Sequence, residues 1–494
     1  MDLDALAQAL LIGSAIVLLA VVGVRVAARL GLPGLLLYLF LGLAIGAFFP
    51  SLQFDNPTLA TVLGYAALVV ILAEGGLTTE VDDLRPVLAP AVVLATVGVG
   101  ISIFVVAAPL IFLMGLETRT AVLIGAVLAA TDAAAVFSVL RRLRLHPRMR
   151  SLLEAEAGFN DAPVVVLVVV LSTAGAEEVA GWQIPLIVLA ELVGGAIIGA
   201  LVGLAGRWAV PRLALPAVGL YPLAVMALLV GAYGLASVLH TSGFLATYIA
   251  GVLVGSAPAL PHRKAVVGFA EGLAWAAQIG LFVMLGLLAQ PVRALSAIPV
   301  ALVAGVVLVF LARPLAALVS LAPFRFPRNW IAFIGAAGLR GAVPIVFAAI
   351  PLGLMVPGSE TVFDATLILV VLLTLIQTPM LPWVAKRLGL ATQLEGHELD
   401  VESAPLDGMN AMLLGFHVPA QSQLAGLYVV DLRLPEGAVV SLIVRDGVGT
   451  VPDHHTRLNV GDEIMLVVTE ETRVKTVRRL QAVSARGRLA RWLE

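Results

Sequence analysis

Cysteine is absent from the 494 residues. Disulfides, zinc–thiolate centres, iron–sulfur clusters and a thiol nucleophile are therefore excluded. Charge is also scarce. Only 13% of residues are Asp, Glu, Lys or Arg, against 60% hydrophobic, where a soluble domain carries about 25% charged residues. That shortfall implies lipid as the solvent for most of the chain. The net charge of −2 gives no bulk field for a nucleic-acid partner. The sequence has no HExxH, no Walker A loop and no TVGYG-type carbonyl filter. Those gaps argue against a zinc protease, a nucleotide-hydrolysing motor and a potassium-selective pore.

What the chain has instead is long apolar runs. A helix needs roughly 20 apolar residues to cross the hydrocarbon core. About thirteen candidates lie near 4–28, 33–49, 57–77, 86–114, 119–140, 150–173, 181–208, 217–239, 243–256, 265–289, 294–319, 328–352 and 361–385. The run at 243–256 is short, so the count is twelve or thirteen. The first run follows acids rather than a basic leader and is too long for a cleaved signal, so it is expected to be a retained span.

Loop charges orient these spans. One alternate set of loops holds Arg25 and Arg29, then Arg141, Arg142, Arg144, Arg148 and Arg150, then Arg207 and Arg212, Arg263 and Lys264, Arg325 and Arg328, and finally Lys386 and Arg387. The other set holds little beyond Arg119 and Arg293. The basic set should be cytoplasmic, which places the amino terminus outside and the carboxyl terminus inside a cell (inner) membrane. The acidic segment 78–86 falls on the inner side, but acids count little in this rule.

After Leu388 the composition changes, predicting a membrane domain over 1–390 and a cytoplasmic domain over 391–494. Segments 427–434, 438–447 and 463–470 read as strands and 469–493 as a basic helix, giving a small α+β fold.

Ionisable side chains at membrane depth are costly and mark function by default. Three spans carry them. The fifth contains Thr131 and Asp132, short polar groups that can hold a local break in a helix; the bland alternative is a back-bonded Thr beside a paired acid. The sixth contains Glu154, Glu156, Asn160 and Asp161. Glu156 and Asn160 share a helix face. Asp161 enters a wholly apolar run, whereas Glu154 reads equally well as a charge balancing Arg148 and Arg150 near the cytoplasmic end. The twelfth contains Arg340 between Gly338 and Gly341, with Pro344 following. A guanidinium at that depth needs a carboxylate, and Glu156 is the expected partner. Glu74, Glu191, Glu271, Gln278 and Gln377 read as end charges, cavity-facing acids or helix–helix contacts. The seven histidines lie at His146, His240, His262, His397, His417, His454 and His455, with no metal-ligand spacing inside a span.

The fifth and twelfth spans are glycine-weakened, polar and in opposite halves of the chain. Such pairs point to a transporter site built from inverted repeats. Oxygen ligands suit a hard monovalent cation. A carboxylate that takes either a proton or a cation couples the two by competition alone.

The stretches TDAAAVFSVL, EAEAGFND and GLRGAVP, with ILAEGGL in the third span, resemble the signature segments of the monovalent cation:proton antiporter superfamily on its NhaP (CPA1-like) side, over residues from roughly 10 to 388. The resemblance implies an α-helical polytopic fold with inverted repeats and crossed broken helices. It also implies a homodimer and electroneutral one-for-one exchange, with no enzyme activity and no cofactor beyond the transported K+ or Na+ and H+. It places the proton and cation carrier on Asp161, further cation ligands on Thr131, Asp132 and Asn160, and a structural ion pair on Glu156 and Arg340.

Two departures stand out. Ala133 replaces a common Pro, and Ala157 replaces a Ser that offers a cation ligand. TDAAAVFS is closer to the potassium/proton branch, although K+ and Na+ are not separated by sequence. Residues GFHVPAQSQLAGLYVVDLRLPEGAVVSLIVRDG and LNVGDEIMLVV resemble the TrkA-C (RCK-C) domain that regulates potassium transport. This implies either a small nucleotide-type ligand on the tail or a dimerisation role. The rivals are a channel gated by such a tail and an intramembrane protease with an aspartate dyad. The missing carbonyl filter argues against the channel, and Asn160 beside Asp161 argues against the protease.

Overall fold

In lipid each backbone N–H and C=O must be satisfied within its own segment, so apolar runs fold as helices. The computed structural model describes residues 7, 11, 13–23, 34–49, 54, 56–132, 145–173, 182–258, 260–390, 401–406, 411–418, 422–445, 448–469 and 472–486. The chain divides into two compact units, 1–391 and 392–494.

In the first unit the helices run in order: α1 (Gly13–Gly23), α2 (Gly34–Phe48), α3 (Pro57–Thr78), α4 (Val81–Phe112), α5 (Thr118–Ala129), α6 (Pro147–Ser172), α7 (Gln183–Arg212), α8 (Leu220–Val238), α9 (Gly243–Gly255), α10 (Arg263–Leu288), α11 (Pro291–Phe324), α12 (Arg328–Ala336), α13 (Ala342–Gly353) and α14 (Ser359–Arg387). Among the described residues, eight of these are long and apolar enough to cross a bilayer: α3, α4, α6, α7, α8, α10, α11 and α14. The expected run 119–140 is helical only to Ala129 before an extended stretch through Asp132. Its remainder to residue 140 lies outside the described residues. The expected run 328–352 is broken over residues 337–341.

Helices α4 and α11 share a design. Each opens with one α-helical turn, then a 3₁₀ turn (Arg85–Val87 and Leu295–Ala297), and each later widens into a π turn (Leu94–Gly98 and Leu308–Ala312). Arg313 directly follows the π turn of α11, and such turns are frequent at functional sites.

Two sets of helices pack among themselves and meet where α13 lies against α3. Helix α10 lies against α2 and α3, and α9 against α3, α7 and α8; α4 and α5 pack together, as do α11 with α12 and α13 with α14. Glycine sets how closely α2 and α10 approach. A Cβ on Gly42 or on Gly286 would strike the backbone of the other helix, so no larger residue fits there. Helix α6 meets both sets through α3, α5, α9 and α13, and it is the most enclosed of the eight long helices.

The second unit is a five-stranded sheet of order β1-β2-β5-β3-β4 with every pairing antiparallel. The strands are β1 (Val401–Leu406), β2 (Ala411–His417), β3 (Ala438–Arg445), β4 (Val448–Thr450) and β5 (Glu463–Thr469). Central β5 alternates strictly: Ile464, Leu466 and Val468 are buried and their neighbours are not, as a sheet covered on one face requires. Helix α15 (Arg473–Arg486) contributes Leu480 and Val483 to the core under the sheet.

The segment expected as a strand over 427–434 is instead a 3₁₀ turn, Val429–Leu432. Asp431 bends back to accept from the Tyr428 N–H at 3.3 Å, and Leu432 drops into the core. The apolar residues of this segment serve a compact turn rather than a ladder.

Candidate functional site

The two broken helices meet, and each satisfies the other's loose end. The Asp132 N–H donates to the Leu339 carbonyl at 3.1 Å. The Ala342 N–H, at the start of α13, donates to Asp132 Oδ2 at 2.7 Å. Asp132 thus caps a helix that begins in mid-membrane, where a negative charge complements the positive end of the helix dipole. Arg340 does the converse for α5. Its Nε and Nη2 donate to the Leu128 carbonyl at 3.0 and 2.9 Å, and Nη1 donates to the Gly338 carbonyl. A cation there complements the negative end of a helix. The Arg340 carbonyl in turn accepts from Thr374 Oγ1 at 2.9 Å. Gly341 makes the crossing possible, because a Cβ at that position would collide with the Asp132 carboxylate.

Helix α6 brings the remaining polar groups to this crossing. Asn160 Nδ2 donates to Thr131 Oγ1 at 2.5 Å. Asn160 Oδ1 and Asp161 Oδ1 are buried and have no hydrogen-bond partner among the described residues. Asp132 and Asp161 line one small cavity together with Gln278, Leu68, Ile71 and Phe282. Its volume of about 10 Å³ has room for about one water molecule. Thr131, Asp132, Glu156, Asn160, Asp161 and Arg340 are all buried, none more than 3% exposed.

The expected Glu156–Arg340 pair is corrected. Glu156 is held by Arg313 of α11, which donates from Nη1 to Oε1 at 2.6 Å and from Nη2 to Oε2 at 3.2 Å. Arg340 faces backbone carbonyls because it serves the end of α5. Sequence reasoning passed over Arg313 although the signal was present: a basic residue inside the apolar run 294–319, followed by Pro314. It also passed over Asp364. That acid is buried near the start of α14 and receives Nε and Nη2 of Arg293 at 2.6 and 3.0 Å. Glu154 takes the role of a balancing charge, paired with Arg150 at 2.6 Å. Among the described residues no three His, Cys, Asp or Glu side chains gather as a metal site.

The central buried charges can be summed. Asp132, Glu156 and Asp161 are acids, and Arg313 and Arg340 are bases. With every group ionised the set carries one negative charge. A single proton or a single monovalent cation brings it to zero, the state that a low-dielectric interior favours.

A broken-helix crossing with carboxylates in a membrane interior defines a secondary transporter, and the comparisons agree. Residues 15–387 match the family described as "Sodium/hydrogen exchanger, transmembrane", and the chain belongs to that family. Residues 413–481 match the TrkA-C domain. More particularly, the chain is similar to the K(+)/H(+) antiporter NhaP of Alkalimonas amylolytica, with 34% identity over 453 residues, covering 90% of this chain and 78% of the relative. It is also similar to the K(+)/H(+) antiporter NhaP2 of Shewanella oneidensis, with 31% identity over 497 residues, covering 97% and 84%. Its fold is that of the sodium proton antiporter MjNhaP1 from Methanocaldococcus jannaschii, with a TM-score of 0.66 at 23% identity, covering 78% of this chain and 99% of that one.

Proposed function

We propose that the chain exchanges K+ for H+ across the cell (inner) membrane, one for one, with Asp161 carrying each in turn. The observation that carries this reading is the one net negative charge of Asp132, Glu156, Asp161, Arg313 and Arg340, with Asp161 Oδ1 lacking a partner among the described residues and Asp161 lining a one-water cavity. Asp132, Thr131 and Asn160 supply further oxygens to the cation. Asn160 is neutral, which keeps the tally at one charge. Arg313 neutralises Glu156, so that carboxylate is not a second carrier. Binding a cation displaces the proton and binding a proton displaces the cation. The empty, charged site is disfavoured at mid-membrane, which couples the two fluxes as the site alternates between the two faces.

K+ rather than Na+ is favoured by the names of the relatives at 31% and 34% identity and by the missing hydroxyl at Ala157. We further propose thirteen spans, since five shorter apolar helices accompany the eight long ones among the described residues. The shared design of α4 and α11 supports two inverted repeats. The loop charges place the amino terminus outside and the tail in the cytoplasm. Residues 1–390 then form the transport domain in membrane lipid. Residues 391–494 form a regulatory domain that binds a small nucleotide-type ligand, and the working unit is a homodimer.

The test is proton movement in proteoliposomes, followed by dequenching of a pH dye on adding K+ or Na+. The reading expects a response to K+ at lower concentration than to Na+. Protons that move with neither cation would refute antiport, and a Na+ response at the lower concentration would refute the K+ assignment.

A further inference from the structure

Gln278 of α10 lines the same small cavity as Asp132 and Asp161. Its side chain is half-buried and makes no hydrogen bond to any described residue. An amide carries two donors and an acceptor, and leaving them unpaired inside a membrane is unfavourable. The apolar wall around it, Leu68, Ile71 and Phe282, offers nothing to pair with. Asp161, which lines the same cavity, also has an oxygen, Oδ1, without a hydrogen-bond partner among the described residues. Two oxygen-bearing groups without partners therefore share a space that admits about one water molecule.

A cation in that space has shed most of its hydration shell and needs protein oxygens in its place. Ala157, one helical turn before Asp161 and on the same face, offers none. The replacement comes from the facing helix. Helix α10 packs with α2 and α3, whereas Asp132 lies in the extended stretch after α5 and Asp161 belongs to α6. We infer that the Gln278 amide oxygen is a cation ligand that sets affinity and selectivity at the site. This inference rests on the antiport reading.

A neutral ligand has a specific advantage here. It adds an oxygen without adding charge, so the single-charge balance at Asp161 is untouched. A carboxylate at this position would compete for protons and break that balance. K+ is larger than Na+ and accommodates more neutral oxygens, so losing the amide penalises K+ more.

The experiment compares wild type with Gln278→Met, which keeps side-chain volume, and Gln278→Leu, as full chains in proteoliposomes. KM for K+ and for Na+, and turnover at saturating cation, are measured at one pH. The expected result is a rise in KM for K+ on the order of tenfold, which is about the loss of one favourable contact. The rise for Na+ is smaller, and turnover at saturation is retained in at least one variant. Wild-type KM for both cations in either variant would overturn the inference. So would lost turnover at unchanged KM in both, which marks a structural role. A wild-type protein that moves protons with neither cation would fail earlier, on the antiport reading itself.

Discussion

Replacing Glu156 by Leu leaves the Arg313 guanidinium in mid-membrane with one weak contact, to the Ile334 carbonyl at 3.5 Å. In the native chain that guanidinium holds both carboxylate oxygens, and the two side chains are only 5% and 3% exposed. Solvent screening, which reduces surface pairs to little, does not apply. Breaking such a pair from one side costs about 3–5 kcal/mol, whereas replacing both partners by apolar groups of similar size is close to neutral. Glu156→Leu and Arg313→Met should each lower the melting midpoint of the detergent-purified protein clearly. The double variant should return close to wild type. The coupling recovered from the cycle is then the sum of the two single costs, about 6–10 kcal/mol in size. Unfolding of membrane proteins is often irreversible, so midpoints at one scan rate are the quantity to compare. The same cycle with Arg340→Met should be much closer to additive, because Arg340 is committed to Leu128 and Gly338. Additivity with Arg313 and strong coupling with Arg340 would refute the pairing.

Gly341→Ala should abolish most transport while the protein still reaches the membrane, because its Cβ occupies the space of the Asp132 carboxylate; transport assays with surface quantification decide this. Asp132→Ala should cost about 1 kcal/mol through the lost cap on α13 and should also reduce cation affinity, so KM and melting midpoint move together. In the tail, Arg445 donates to both oxygens of Asp462 at 2.8 Å. That pairing, helped by the Asn459 N–H, holds the Asp462 carboxyl below the ordinary carboxylate range. The stabilisation is therefore present above the unfolded value, about 3.9, and lost as pH falls through the lower folded value. Asp462→Asn should melt earlier than wild type at pH 7, and the gap should close in strong acid. A gap that widened on acidification would contradict the sign.

Much of this site was legible because lipid makes charge conspicuous. Thr131, Asp132, Glu156, Asn160, Asp161 and Arg340 stand out as polar groups in apolar runs; all six are buried, and all but Glu156 lie at the crossing. The partner of Glu156 was not legible. Two arginines lie in different spans, and only the tertiary arrangement shows which guanidinium reaches the carboxylate and which turns to the end of α5. The sequence alone presents Gln278 as a contact between helices, because composition does not reveal which face a lone amide takes. In the tail, 438–447 and 463–470 were recognised, and β3 and β5 occupy them. Strands β1, β2 and β4 lie outside the expected strands, and β1 contains Pro405, a residue that argues against a strand. It is tolerated there because β1 is an edge.

The central claim is that Asp161 alone carries the exchanged charge. It is tested most directly by recording proton flux and membrane current together in proteoliposomes subjected to a K+ jump. Wild type should move protons with no steady transport current, and Asp161→Asn should move none. Exchange that survives in Asp161→Asn, or a sustained current accompanying wild-type exchange, would contradict the account.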